Sequence, residues 1–260
     1  MIILTDIHGN FNTMMALLDK IPQEEKDKGI VICGDLVDRG PRSRQIVQWC
    51  IDNNIQVVKG NHEVMMVDDA MKEASYYKKN YTFDYFGSGG AWVVNGGFET
   101  LESYIDTDED GRKDINILAL HEHIMWMDKL PLYIEFRNIK NEDGRYLVIS
   151  HSNITNQWKD RDSQDKNRLK YFENAVLWGR PHKIKDVPEI FNVIGHTPQQ
   201  NGPRIRKTYA NIDTGCFYKG EPGYYRLTAL QYPEMIVYEQ ENIDMVRPKS
   251  VFEELDEEND

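Results

Sequence analysis

Three short blocks and two later histidines carry the groups able to do chemistry: Asp6-Ile7-His8, then Gly34-Asp35-Leu36-Val37-Asp38-Arg39-Gly40, then Gly60-Asn61-His62-Glu63, with His151 and His196 further on. Each follows a strand-like apolar run. A single Asp-x-His at a strand end is more often a turn cap than a ligand. The full series mixes carboxylate, amide and imidazole donors with no thiolate, and this mixture suits hard or borderline divalent ions such as manganese, iron or zinc. Six such groups suffice for two ions that share one carboxylate. Gly34 and Gly60 allow sharp turns at the strand ends, and Gly9 and Gly40 allow the backbone to pass close to an ion or anion.

The elements that must position these groups read as α/β. Ile2 to Thr5, Ile30 to Cys33 and Ile55 to Val58 are apolar runs of strand length. Between them, Asn10 or Asn12 is expected to cap a helix with Met14, Leu17, Leu18 and Ile21 on one face, and Ser43 to cap one carrying Ile46, Val47 and Cys50. In a β-α-β-α-β opening of this kind, residues just past the carboxyl ends of the strands gather in one crevice, so Asp6, Asp35 and Asn61 are expected neighbours. Residues 64–130 read as a mainly helical insertion, with an apolar stripe of Met65, Met66, Ala70 and Met71 and a helix over Ile117 to Met125 capped by Asp114. Within it, the aromatic and glycine-rich stretch 76–91 is either a packed loop or a substrate-facing lid. Strand-like runs return at Leu132 to Phe136, Tyr146 to Ser150, Val193-Ile194, Ala210 to Ile212, Tyr224 to Leu230 and Met235 to Tyr238. A turn at Asn141 to Gly144 makes the first two antiparallel neighbours. Segment 152–171 is polar enough to read as a surface loop. The loop 199–209 carries three bases and either borders the substrate or is a solvated hairpin.

Composition narrows the function classes. The chain has 260 residues, and its 31 basic against 43 acidic residues give a net charge of -12. That sign argues against non-specific nucleic-acid binding, which needs clustered Lys and Arg to replace phosphate counterions. Six of the acids fall within the last eight residues, so 251–260 reads as a solvated acidic tail beside a catalytic domain over 1–250. No apolar run reaches the roughly twenty residues of a membrane span, and no secretory signal precedes the first strand, so the expected location is the cytoplasm. Cys33, Cys50 and Cys216 have no paired spacing and are expected as buried, reduced thiols.

These blocks in this order resemble the calcineurin-like metallophosphoesterases. The Asp-Arg-Gly of the second block and the Asn-His-Glu of the third are similar to the PPP family, in its bacterial and phage-lambda-type serine/threonine protein phosphatases, which are related to symmetrical diadenosine tetraphosphatases. The likeness continues through Trp92 to Tyr104, Leu177 to Pro181, Ile194 to Pro198, Ile212 to Gly215 and Leu227 to Leu230, and spans nearly the whole chain to about residue 238. It implies a β-sandwich of two mixed sheets flanked by helices, with a dinuclear metal site at the strand ends. It further implies one metal on Asp6, His8 and Asp35 and a second on Asp35, Asn61, His151 and His196. Manganese is expected first, with iron or zinc as alternatives. By the same resemblance His62 protonates the leaving oxygen, Asp38 orients it, and Arg39, Arg180 and Asn61 face the phosphate. Family members usually follow the first late histidine with a small residue and glycine, whereas here it is His151-Ser152-Asn153.

The implied reaction is hydrolysis of phosphate monoesters by metal-activated water, on phosphoserine and phosphothreonine in proteins or on a small phosphorylated molecule. Two arginines on one site favour a terminal phosphate dianion over a diester. The alternative is a dinucleoside polyphosphate hydrolase, with Tyr76 to Phe86 as stacking surfaces for adenosine. A catalytically silent binding protein would lack a ligand or His62, and every such position is filled. The oligomeric state is left open by the sequence.

Overall fold

Apolar residues two apart in a strand face the same side of the sheet, and that rule organises this molecule. The structure, a computed structural model, describes residues 1–80 and 92–244, with the backbone alone from 71 to 80. In chain order the elements are β1 (Ile2–Leu4), α1 (Phe11–Asp19), α2 (Gln23–Lys26), β2 (Ile30–Ile32), α3 (Ser43–Asp52), β3 (Gln56–Val57) and α4 (Asn61–Asn80). A π-turn over Val93–Gly97 leads into α5 (Phe98–Ser103), then β4 (Ile105–Thr107), β5 (Lys113–Ile115), α6 (Ile117–Asp128), β6 (Tyr133–Lys140) and β7 (Tyr146–Ser150). A 3-10 turn over Thr155–Asp160 and α7 (Lys166–Trp178) precede β8 (Ile190–Ile194), β9 (Arg204–Ile205), β10 (Tyr209–Asn211), β11 (Arg226–Gln231) and β12 (Ile236–Glu241).

Two mixed five-stranded sheets result, ordered β12-β11-β1-β2-β3 and β6-β7-β8-β10-β9, beside the small hairpin β4-β5. β1 runs parallel to β2 and antiparallel to β11, and β7, β8 and β10 run parallel to one another. Between the sheets Ile3, Val31 and Val58 meet Leu147, Ile149, Phe191 and Val193. On the outer face of the first sheet Ile2, Leu4 and Ile32 turn toward Met14, Leu17, Ile46, Val47, Met66 and Met127 of the helices. Val148 and Ile190 do the same on the second sheet, against Trp158, Phe172 and Val176. The result is helix, sheet, sheet, helix, the α/β sandwich expected. All three cysteines are buried free thiols.

Several local expectations are corrected. Asn10 stands at the N-cap of α1 without capping it; its amide instead donates to the carbonyls of Ile7 and His8, tying down the loop that carries His8. Ser43 is the first residue of α3, and its hydroxyl accepts from Asp38 N at 3.2 Å and pairs with Thr100. Asp114 lies in β5, and Asn116 caps α6 by accepting from Ala119 N at 3.0 Å. Segment 152–171 is not a plain surface loop: Ile154 and Trp158 pack into the third core cluster, and α7 begins at Lys166 under an Asp165 cap. Most of the charged residues there are exposed, which gives the segment its polar look, but Ser152, Asn153 and Thr155 are buried with the two widely spaced core anchors. The insertion holds α4, α5 and α6 but also the β4-β5 hairpin. The stretch from 81 to 91 and the tail from 245 to 260 lie outside the described residues. Among those described, no helix is long and apolar enough to cross a membrane.

Candidate metal centre

The carboxyl ends of the parallel strands of both sheets open into one place. Asp6 and His8 follow β1, Asp35 follows β2, Asn61 and His62 form the first turn of α4 after β3, His151 follows β7 and His196 follows β8. The turns are tight. Asp6, His8, Asp35, Asp38, Arg39 and His196 have φ of 49°, 47°, 53°, 74°, 72° and 68°, a region that non-glycine residues seldom enter. Such conformations persist only where surroundings over-determine them. Here the loops after β1 and β2 are laced together by Asp6 N to Gly34 O at 3.2 Å and His8 N to Asp35 O at 3.0 Å. Glu63, fully buried, accepts from Asp35 N at 2.9 Å, Leu36 N at 2.7 Å and Gly60 N at 2.8 Å. A side chain at Gly60 would put its Cβ 2.2 Å from Asp35 Oδ1, so glycine there is a condition of the approach.

The expected residues are brought together. His8 Nε2 lies 3.6 Å from Asp35 Oδ2 and 4.0 Å from Asp6 Oδ1, and His151 Nε2 lies 3.4 Å from Asp35 Oδ1. Asn61 Oδ1 is 2.8 Å from His151 Nε2 and 2.9 Å from His196 Nδ1. Two groups of donors converge within 4.8 Å, His8-Asp35-His62 and Asp35-His151-His196, and Asp35 belongs to both.

Hydrogen bonds around the rim decide which atoms point inward. His8 Nδ1 is 2.9 Å from Val37 O and His151 Nδ1 is 2.8 Å from Cys33 O. A carbonyl accepts only, so each Nδ1 carries the proton and each Nε2 turns a lone pair inward. At His151 that lone pair faces the Asn61 carboxamide, whose oxygen is drawn toward it, an acceptor against an acceptor, which a cation between them relieves. Burial, with Arg39 and His62 adding to it, holds His8 well below the usual imidazole range. Burial, reinforced by His151 and Arg180, lowers His196 to about 2. Burial also pushes Asp35 well above the carboxylate range, with Asp6 and Glu63 adding repulsion, and Asp213 behaves alike beside Asp6. Buried carboxyls in want of positive charge, next to imidazoles held neutral, are a donor set that fits divalent cations.

His62 differs from the other imidazoles. Burial disfavours its charge, but Asp35 and a 2.5 Å hydrogen bond from Nδ1 to Asp38 Oδ2 outweigh that and raise its pKa. Asp38 is itself held by Trp92 Nε1 and Thr100 Oγ1, both donating to Oδ1 at 2.8 Å. Arg39 reaches His8 Nε2 at 2.9 Å and lies over the Phe217 ring at 3.9 Å, and Arg180 Nε reaches His196 Nε2 at 3.3 Å. A cleft of about 680 Å³ opens above, bordered by Arg39, His62, Trp92, Asn95, Trp178 and Arg180.

Sequence reasoning missed Glu63, Trp92, Thr100, Asp213 and Phe217. Glu63 and Asp213 sat inside quoted blocks, flanked by glycine turns that mark tight backbone. Trp92 and Thr100 sat in the stretch Trp92 to Tyr104 that carries the family likeness, without a role assigned to either, and for Phe217 no local signal existed. His123 of α6 hydrogen-bonds Tyr104 and Gln48, the latter on α3, and His121 is exposed.

Comparison with known proteins agrees with this geometry. An asymmetrical bis(5'-nucleosyl)-tetraphosphatase of Geobacillus thermodenitrificans is 30% identical over 260 residues, covering 90% of each chain. One of the same name from Anoxybacillus flavithermus is 29% identical, again over 90% of each chain. Serine/threonine-protein phosphatase 1 of Salmonella typhimurium is 28% identical, covering 84% of this chain and 88% of its own. The crystal structure of a candidate diadenosine tetraphosphatase shares the fold at a TM-score of 0.54 and 18% identity, covering 93% of this chain and 92% of its own. The calcineurin-like phosphoesterase family model matches residues 1–211, and the chain belongs to that family of metallophosphoesterases.

Proposed function

We propose that this phosphoesterase splits a dinucleoside tetraphosphate asymmetrically, into a nucleoside triphosphate and a nucleoside monophosphate. The observation that carries this reading is the pair of relatives bearing that activity in their names, aligned over nine-tenths of both chains. The sequence favoured a protein phosphatase, with a dinucleoside polyphosphate hydrolase as the alternative; the symmetrical enzymes related to that alternative divide four phosphates two and two, whereas these relatives are named for the unequal division. The second reading, a serine/threonine protein phosphatase, is favoured by the Salmonella relative and shares every step below up to the identity of the leaving group.

In this reading Asp6, His8, Asp35, Asn61, His151 and His196 would hold two divalent ions, and Asp35 is common to the two groups of donors. Bound there, the ions supply Lewis acidity toward phosphoryl oxygens and an acidified water. The chain does the rest. Arg39 and Arg180 flank the cluster, with planar forks suited to the equatorial oxygens of a transferring phosphoryl group. Asn61 adds an amide beside them. Phe217 under Arg39 limits where the guanidinium can go. His62 keeps its proton through its bond to Asp38 and presents Nε2, 4.0 Å from Asp35 Oδ2, to the departing oxygen. Trp92 and Thr100 fix Asp38, so the proton is held in one direction, as general-acid catalysis requires.

The test is a side-by-side assay of the manganese-loaded protein on diadenosine tetraphosphate and on a phosphoserine peptide, with products separated by ion exchange. Adenosine triphosphate and monophosphate in equal amounts, at a kcat/KM at least about tenfold above the peptide's, are expected. Two molecules of the diphosphate, or preference for the peptide, would overturn the reading.

A further inference from the structure

Past Arg180 the cleft has a neighbour whose chemistry the reaction above does not use. A cavity of about 350 Å³ lies between the loop after β7, the loop after α7 and the β9-β10 hairpin. Its wall carries Arg180, His182 and Arg204 and, among the described residues, neither aspartate nor glutamate. That is notable in a chain with 43 acids against 31 bases. Its floor holds Asn153, only 2% exposed. The carboxamide accepts from Thr155 Oγ1 at 3.0 Å, which leaves Nδ2, buried, with no hydrogen-bond partner in the protein. Buried donors in native proteins are almost always satisfied. Asn153 is also where the chain departs from the small-residue and glycine step usual after the first late histidine. Its neighbour Ser152 is engaged by the Gly179 carbonyl, which fixes the loop against the segment carrying Arg180.

We propose that this cavity, floored by Asn153 and walled by Arg180 and Arg204, binds the phosphate groups that lie beyond the one under attack. The inference rests on the reading of the metal centre as the place of phosphoryl transfer. Arg180 borders both the central cleft and this cavity, so a phosphate chain anchored at the metal cluster continues past it. Asn153 Nδ2 donates to a phosphate oxygen, and Arg204, exposed on β9 with no carboxylate on the wall, supplies a charge that no ion pair among the described residues already engages. A polyanionic arm satisfies all three groups. The uncharged flank of a phosphopeptide satisfies only the amide.

Inhibition of p-nitrophenyl phosphate hydrolysis by ATP and by AMP, at fixed free manganese, tests this without requiring the tetraphosphate to be a substrate. The two inhibitors differ by the distal phosphates alone. ATP should inhibit about tenfold more tightly than AMP, the worth of one or two charge-assisted hydrogen bonds. In Arg204→Gln, an exposed position where folding is not at stake, and in Asn153→Ser, that ratio should collapse toward one. Equal inhibition by ATP and AMP in the native protein, or a ratio that survives both substitutions, would overturn the proposal. Failure to cleave diadenosine tetraphosphate, with the inhibitor ratio intact and sensitive to Arg204, would instead count against the substrate assigned above.

Discussion

At the scale of single residues, three imidazoles of the site divide into two held neutral and one that keeps its proton. His8 and His196 are driven below the usual imidazole range by burial, while His62 is raised because Asp35 and Asp38 outweigh burial. A general acid must hold its proton, so turnover should fall as pH rises through the elevated pKa of His62. Removing the Asp38 charge lowers that pKa and moves the alkaline limb to lower pH. Asp38→Asn is expected to lower kcat on phenyl phosphate by about 10- to 100-fold and to cost much less on p-nitrophenyl phosphate, whose leaving group needs little help. A pH profile of kcat with unshifted alkaline limb would sink the assignment. Glu63 makes a second, structural prediction. Its carboxylate satisfies three buried backbone amides around Asp35, and at about 1 kcal/mol or more for each unsatisfied donor, Glu63→Ala should lower stability in urea by about 3 kcal/mol. The candidate metal ligands were legible because glycines and short apolar runs bracket them. Glu63 was visible but mute, since its partners are backbone amides that no side-chain pattern reveals.

The elements were legible where hydrophobic periodicity was dense and illegible where a few distant anchors did the packing. β7 runs over the residues its apolar run indicated, and α1 and α3 bury the faces expected. Segment 152–171 was misread because Ile154 and Trp158 are too few and too far from Phe172, just beyond it, to form a local stripe, yet all three join the third core cluster. Caps were misassigned for a related reason: Asn10 and Ser43 have the chemistry of caps but are recruited by the loops that carry His8 and Asp38. Between α6 and α3, His123 offers a test at this scale. It hydrogen-bonds Tyr104 and Gln48, and burial, with Arg44 adding to it, lowers its pKa to about 4. The unfolded chain binds a proton there near the ordinary pKa of about 6.5, whereas the folded chain does not until about 4, so stability falls as pH falls across that window. Between pH 6.5 and 5 the loss is about 1 to 2 kcal/mol after allowance for partial screening. His123→Gln keeps the hydrogen-bonding capacity without the titration, and its unfolding midpoint should lose correspondingly less over the same interval. Parallel pH dependences in the two proteins would exclude this source.

For the whole molecule, the pairing that no local pattern announces is the one that matters most. β11 returns from the far end of the chain to lie against β1, with Leu4 opposite Ala229, and β7 and β8 form a separate sheet whose ends meet those of β1 and β2 only in three dimensions. The centre therefore draws Asp6, His8 and Asp35 from one sheet and His151 and His196 from the other, and ions held there would tie the two sheets together. Burial makes Asp35 and Asp213 carboxyls that resist ionisation, so the binding energy of cations at this centre would double as folding energy. With free manganese a thousandfold above its dissociation constant, one site adds about 4 kcal/mol. At about 2 to 4 °C for each kcal/mol in a chain of this size, chelation should lower Tm by about 10 °C. Asp35→Asn, which removes the shared carboxylate, should unfold at nearly the same temperature with and without chelator, and should do so whatever the substrate proves to be. A native protein whose Tm ignores both chelator and manganese would show that the convergence of these side chains is not a metal centre.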